Sequence, residues 1–262
     1  VTLTLEGALF LTRALAAFSI ALQTLELLAI RAAWSDAGTW RWATLRRDFV
    51  RWPAPVRRAL DAVLRERSFF VLVFARLVLA SMAPFFAWTW PAIFVLSVLV
   101  LIRFRGSFGG GSDTMTLVVA SALGAHALFS ADDFGAVVCL GYIALHATLS
   151  YVAAGVAKAR HSLWRSGSAL RHFIVASSYP VPIALRAFAT KRPSLMRAAT
   201  YGALAFELAF PIVFVRAATL PVLGLAFVFH LANFAVFGLN RFVWAWLATY
   251  PALALFGLRG FG

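Results

Sequence analysis

Residues 219–240 read TLPVLGLAFVFHLANFAVFGLN, an apolar run that carries His230 and Asn233 inside it. About 20 apolar residues are what a helix needs to cross the roughly 30 Å hydrocarbon core of a bilayer. A run of this length and composition is therefore a membrane span before it is anything else. His230 and Asn233 are three residues apart, which places both side chains on one helix face. Lipid supplies no hydrogen bonds, so each needs a neighbouring helix, a water or a bound molecule. Polar groups held at that depth are functional candidates.

The rest of the chain is built the same way. Hydrophobic residues make up 62% and charged residues 13%, against roughly 45–50% apolar in soluble domains. An all-α, polytopic transmembrane bundle is the expected fold class, forming one integral membrane domain over residues 1–262. A bacterial cytoplasmic (inner) membrane is the expected location. The net charge of +14 lies mostly in loops between spans, where it acts as a topology determinant and meets anionic lipid headgroups. Membrane lipids are thus expected partners. Nucleic acid is not, because no basic patch with interleaved aromatics stands clear of the spans. Cys139 is the single cysteine, which rules out an intrachain disulfide and a Cys-x-x-Cys redox pair. The first apolar stretch continues past a cleavable length, so no signal peptide of the usual form is expected.

Hydropathy yields about eight candidate spans, at residues 3–33, 68–83, 85–102, 114–129, 134–157, 198–215, 219–239 and 242–258. Residues 34–67 differ from their surroundings, with eight arginines, four acids and Trp34, Trp40, Trp42 and Trp52. Pro53 and Pro55 break any single helix there. An amphipathic interfacial connector is expected, with tryptophans at the headgroups and arginines toward water. A specific lipid or partner site is the sharper alternative. Residues 172–190 contain Tyr179-Pro180-Val181-Pro182, too broken for a regular span, and read as a re-entrant or interfacial segment. Positive-inside counting puts the basic loops around Arg103–Arg105 and Lys158–Arg171 on the cytoplasmic side with the connector. The loop at Ala131-Asp132-Asp133 falls on the opposite side, and so do both termini.

A few polar residues could carry chemistry. Lys158, in SYVAAGVAKARHSLWRSGSAL, is one of two lysines among twenty-four basic residues. A desolvated lysine can give up its proton, whereas arginine effectively cannot, so Lys158 is a candidate base; a snorkelling anchor is the plainer role. Glu207, in YGALAFELAFPIVF, is expected to be protonated or paired with His230 or an arginine of another helix, and a structural bond between helices is the plainer role. The loop FGGGSDTM, residues 108–115, offers Ser112 or Asp113 as a helix cap and a flexible backbone that could approach a ligand. His126, His146, His161 and His172 do not fall at ligand spacing, and no metal site is expected.

Three segments together resemble a known family. FHLANFAVFGLNRFVWAWLATYPAL is similar to the FH-x-x-N…LA-x-x-P stretch of vitamin K-dependent gamma-glutamyl carboxylase. YVAAGVAKARHSLWRSGSAL resembles that family's AG-x-x-K…W-x-x-G segment, and FELAFPIVF follows with the expected Glu and Pro. The broader set of such membrane domains is called HTTM. The resemblance implies that Lys158 is the base toward vitamin K hydroquinone or a related reduced quinone. Oxygen and carbon dioxide would be co-substrates. Oxygenation would yield a strong base that removes a gamma-proton from a peptide glutamate, and carbon dioxide would capture the carbanion. It further implies that His230 and Asn233 hydrogen-bond the quinone with Glu207 nearby, and that Asp113 stands where the carboxylase has a histidine.

The expected function is a carboxylase-like membrane enzyme without the large substrate-recognition domain. Its substrate would be a peptide or small molecule, and a partner protein would replace the missing domain. The alternative is a non-enzymatic membrane subunit or maturation partner in a peptide-processing system. A transporter is disfavoured, since no inverted repeat or pair of broken helices stands out.

Overall fold

A computed structural model describes residues 3–104, 110–130, 132–176 and 181–259. All regular structure among these residues is helical, as the sequence leads one to expect. Packing divides the chain into two compact units. The N-terminal unit comprises Leu5–Leu140 with Trp244–Ala248, and the C-terminal unit comprises Gly141–Val243 and Thr249–Gly262 with Val1–Thr4.

The N-terminal unit begins with α1 (Leu5–Ala29) and continues through short helices α2 (Arg31–Trp34) and α3 (Trp42–Leu45). A 3-10 turn (Arg46–Phe49) and α4 (Ala54–Leu64) complete the connector. Then come α5 (Glu66–Met82), α6 (Thr89–Arg103) and α7 (Gly111–Phe129). The long helix α8 (Asp133–Arg160) follows. After it lie α9 (Ser162–Arg165), α10 (Ala169–Val175), α11 (Ile183–Lys191) and α12 (Pro193–Ala209). A 3-10 turn (Phe210–Phe214), α13 (Thr219–Phe237), α14 (Asn240–Leu247) and α15 (Tyr250–Arg259) end the chain.

Each of the eight expected spans corresponds to helix, but among the described residues six segments are long and apolar enough to cross a membrane. These are α1, α7, α8, α12 with its 3-10 extension, α13, and α14 with α15. At 1.5 Å per residue, the 17-residue α5 reaches only about 26 Å and the 15-residue α6 about 22 Å. The cause lies between them, where Ala83-Pro84 interrupts the helix and the chain turns before Thr89. The 172–190 segment holds α10 and α11, two short helices in place of a span; Tyr179 and Pro180 lie outside the described residues.

The connector is packed more tightly than an interfacial strip. Pro53 does break it, serving as the residue that opens α4. Trp34 and Trp42, however, are buried, while Trp52 is exposed. The physical reason is that the first two indoles each find a partner inside the protein. Trp34 Nε1 donates to the Leu27 carbonyl at 2.8 Å, and Trp42 Nε1 donates to Asp61 at 2.8 Å. Arg103 at the end of α6 is fully buried beside them. Its guanidinium donates to the carbonyls of Leu64 and Trp34, and it sits over the rings of Trp42, Phe69 and Phe104.

The N-terminal unit also carries a polar seam inside apolar helices. Arg76 of α5 donates to Ser97 of α6 and to Thr24 and Gln23 of α1, and Gln23 donates onward to Thr116 of α7 at 2.7 Å. Four helices are thereby pinned in register by groups that lipid could not satisfy.

One expectation on the glycine-rich loop is corrected. Neither Ser112 nor Asp113 caps α7. Gly110 is the N-cap, at φ 64° and ψ −132°, and both residues fall in the first turn. A left-handed φ without a Cβ penalty is what glycine provides. Phe108 and Gly109 lie outside the described residues.

Candidate functional site

Tyr151, Gly155 and Lys158 follow one another at spacings of four and three, so they line one face of α8. That face packs on α12. A Cβ placed on Gly155 would come within 3.0 Å of the Leu208 side chain and 3.1 Å of its backbone nitrogen. The absent side chain lets α8 approach α12 closely, and one turn further on Lys158 meets Glu207. The Lys158 ammonium and the Glu207 carboxylate form an ion pair. Glu207 is almost fully buried, whereas the lysine side chain keeps 25% exposure. The second carboxylate oxygen, Oε2, is buried with no hydrogen-bond partner among the described residues.

The same chain region closes the site from below. Trp164 of α9 lies under the lysine, with Nζ 4.9 Å from the ring centroid, and Phe229 of α13 flanks it at 5.9 Å. Gly167 then turns the chain at φ 73°, and a Cβ there would run into Arg197 and Tyr201 of α12. Tyr201 fixes the turn by donating to the Arg165 carbonyl at 2.9 Å. The spacing Gly-x-x-Lys…Trp-x-x-Gly thus has a physical content. Its glycines permit close packing, and its lysine and tryptophan face the site.

Lys158 opens onto a cavity of about 430 Å³. Trp164, Phe173, Phe229 and Phe237 supply aromatic walls, and Lys158, His172 and Asn233 supply polar groups. Asn233 Nδ2 donates to the Phe229 carbonyl one turn back, at 2.9 Å. A volume of this size with a few convergent polar groups is typical of a small-molecule site.

His230 does not line this cavity. It is 1% exposed, and its Nε2 lies 2.5 Å from the Tyr151 hydroxyl. Its ring packs among Phe229, Phe242 and Tyr151. Tyr151 stacks on Phe210 with ring centroids 3.7 Å apart. Although His230 and Asn233 share a helix and lie three residues apart, one is sealed into an aromatic layer and the other faces open space.

Of the five candidate residues, Lys158, Glu207, His230 and Asn233 lie in the C-terminal unit, and Asp113 lies in the N-terminal unit at the start of α7. Two are joined by an ion pair, and Lys158 and Asn233 share the cavity. Tyr151 is an addition that sequence reasoning passed over, Trp164 entered it only as the tryptophan of the quoted segment, and His172 only as a histidine outside metal-ligand spacing. Tyr151 was detectable from its spacing of seven before Lys158, which puts it on the same helix face. The approach of α10 that brings His172 to the cavity leaves no such trace. The remaining histidines are scattered. His126 is buried on α7, His146 packs against Tyr142, and His161 accepts from the Leu163 backbone at the start of α9.

These features define a polytopic helical membrane protein with a part-buried ion pair at the edge of an aromatic cavity. The family model of the HTTM domain matches residues 131–256. The resemblance to that family is therefore shown over the part of the chain that contains Lys158, Glu207, His230 and Asn233. No curated protein and no solved structure matches the chain.

Proposed function

We propose that the C-terminal unit is a carboxylase-like catalytic centre that uses a reduced quinone. The observation that carries this reading is the Lys158–Glu207 pair at the edge of an aromatic cavity that Asn233 also lines. The cavity suits a quinone, because flat aromatic walls stack on a ring while lysine, histidine and asparagine can address its oxygens. Vitamin K hydroquinone or a related reduced quinone, with oxygen and carbon dioxide, would supply the reducing power and the carbon–carbon bond-forming chemistry.

The chain's own residues supply proton control and placement. A proton passing from the Lys158 ammonium to Glu207 converts an ion pair into a neutral pair without changing net charge. That exchange avoids leaving a lone charge in low dielectric, where one is expensive. It also yields a neutral amine, the form that acts as a base. Trp164 and Phe229 flank the amine and hold it in place. Asn233 fixes ligand orientation from the facing helix. A peptide or small molecule would be the acceptor, in the bacterial cytoplasmic membrane.

The test is oxidation of reduced vitamin K by the purified protein in lipid nanodiscs, with labelled carbon dioxide followed into added peptide. Lys158→Ala is expected to abolish oxidation, and Lys158→Arg to leave it abolished. Equal turnover in wild type and both variants would overturn the assigned base. A stable co-purifying protein, with no quinol turnover under any condition, would favour a non-enzymatic subunit of a peptide-processing system.

A further inference from the structure

The connector encloses a second cavity, of about 320 Å³, between α3, the following 3-10 turn and α4. Arg46, Arg47 and Arg57 line it against a single carboxylate, Asp61, over a floor that includes Trp42 and Phe49. Asp61 is already engaged on two sides. It accepts from Trp42 Nε1 at 2.8 Å and pairs with Arg46 at 3.1 Å. The cavity is therefore left with a surplus of two guanidinium charges. Arg57 Nε is buried with no hydrogen-bond partner among the described residues.

A buried guanidinium donor without an acceptor is costly, and its natural complement is an anion with several oxygens in forked geometry. Val50 lines the cavity, and the same segment also exposes Trp52, Val56 and Val63. Exposed apolar and indole groups beside an arginine cluster are the pattern of a segment seated at the boundary between acyl chains and headgroups.

We propose that this cavity binds the phosphate of an anionic glycerophospholipid headgroup, with Arg47 and Arg57 as its principal ligands. Arg46 is held by Asp61 and shapes the rim. The exposed valines and Trp52 receive the upper acyl chains. This site lies wholly within the N-terminal unit and does not depend on the function proposed for the C-terminal one.

The test compares lipid retention by native mass spectrometry after purified protein is exchanged from vesicles of phosphatidylcholine mixed with phosphatidylglycerol. Wild type is expected to retain phosphatidylglycerol. Arg47→Gln/Arg57→Gln is expected to lower that retention at least about tenfold, as loss of charge-assisted phosphate bonds implies. Arg51→Gln/Arg58→Gln removes two charges from the same segment outside the cavity lining, and retention should stay within about twofold of wild type. Equal losses in both variants would mean diffuse surface attraction and overturn the proposal. Displacement of the lipid by glycerol phosphate alone would reassign the site to free phosphate esters and overturn the lipid assignment. Thermal unfolding is followed in parallel. If the double variant does not fold, the exposed Arg47→Gln is read against Arg58→Gln on the same criterion.

Discussion

Gly155→Ala tests whether the close approach of α8 to α12 holds the Lys158–Glu207 pair. The new methyl would lie 3.0 Å from Leu208 Cδ2 and Cγ and 3.1 Å from its backbone nitrogen, so α12 must retreat by a few tenths of an ångström. The leucine side chain can rotate away, but its nitrogen belongs to the helix and cannot move alone. Overpacking of this kind costs about 1–3 kcal/mol. Replacing glycine by alanine inside a helix returns about 1 kcal/mol. The net expectation is a destabilisation of about 0–2 kcal/mol. Gly202→Ala supplies the control, because a Cβ at Gly202 on α12 meets nothing within 4 Å. It should stabilise by about 1 kcal/mol from propensity alone. The difference between the two variants, about 1–3 kcal/mol, isolates the steric contribution. Thermal unfolding in detergent micelles measures it, and under the proposed function quinol oxidation is expected to fall with the accompanying displacement of Lys158. A shift of up to about 1 Å at a reacting group can lower turnover as much as about a hundredfold. Identical stability changes in Gly155→Ala and Gly202→Ala would refute the packing argument.

Two further perturbations address the site and its flank. Lys158→Met leaves Glu207 buried and without its cation, so it should destabilise by about 3–5 kcal/mol, while Lys158→Met/Glu207→Leu should come within about 1–2 kcal/mol of wild type; the cycle completed by Glu207→Leu, measured by chemical unfolding, would show no coupling if the pair is incidental. Asp132, in the loop before α8, accepts from the Gly135 amide and the Ser130 hydroxyl, both at 2.8 Å, and these bonds hold its carboxyl below the ordinary value of 3.8. A depressed folded-state value means the cap contributes fully above that pH and is lost as pH falls through the lower, folded value. Hydrogen exchange at Gly135 should therefore quicken below about pH 4 beyond the intrinsic rate, and Asp132→Asn should show no such acid step.

Much of the architecture was legible because the bilayer imposes it. Apolar runs of sufficient length must be helices, and every expected span does contain one. The errors came where length alone misled. Residues 68–83 and 85–102 read as two spans, and the helices found there, α5 at 17 residues and α6 at 15, are shorter than the hydrocarbon core. Trp34 and Trp42 looked interfacial by residue type, yet each indole found an acceptor in the protein. Arg76, in the middle of an apolar helix, gave no hint in sequence of the seam it forms with Gln23, Thr24 and Ser97.

By itself, the sequence determined that this chain is a helical membrane protein, where its apolar segments lie, and that a rare lysine, an intramembrane carboxylate and a His–Asn pair warranted attention. Hydropathy and helical spacing are local properties, so composition and order suffice to read them. Which polar group meets which is not local. Lys158 and Glu207 are 49 residues apart and pair because Gly155 lets α8 pack closely on α12. His230 and Asn233 share a helix face and are still separated, because the aromatic layer around Tyr151 closes over one of them and the cavity opens beside the other. Spacing along a helix sets direction, but only the packed neighbours decide whether that direction ends in a core or in a site.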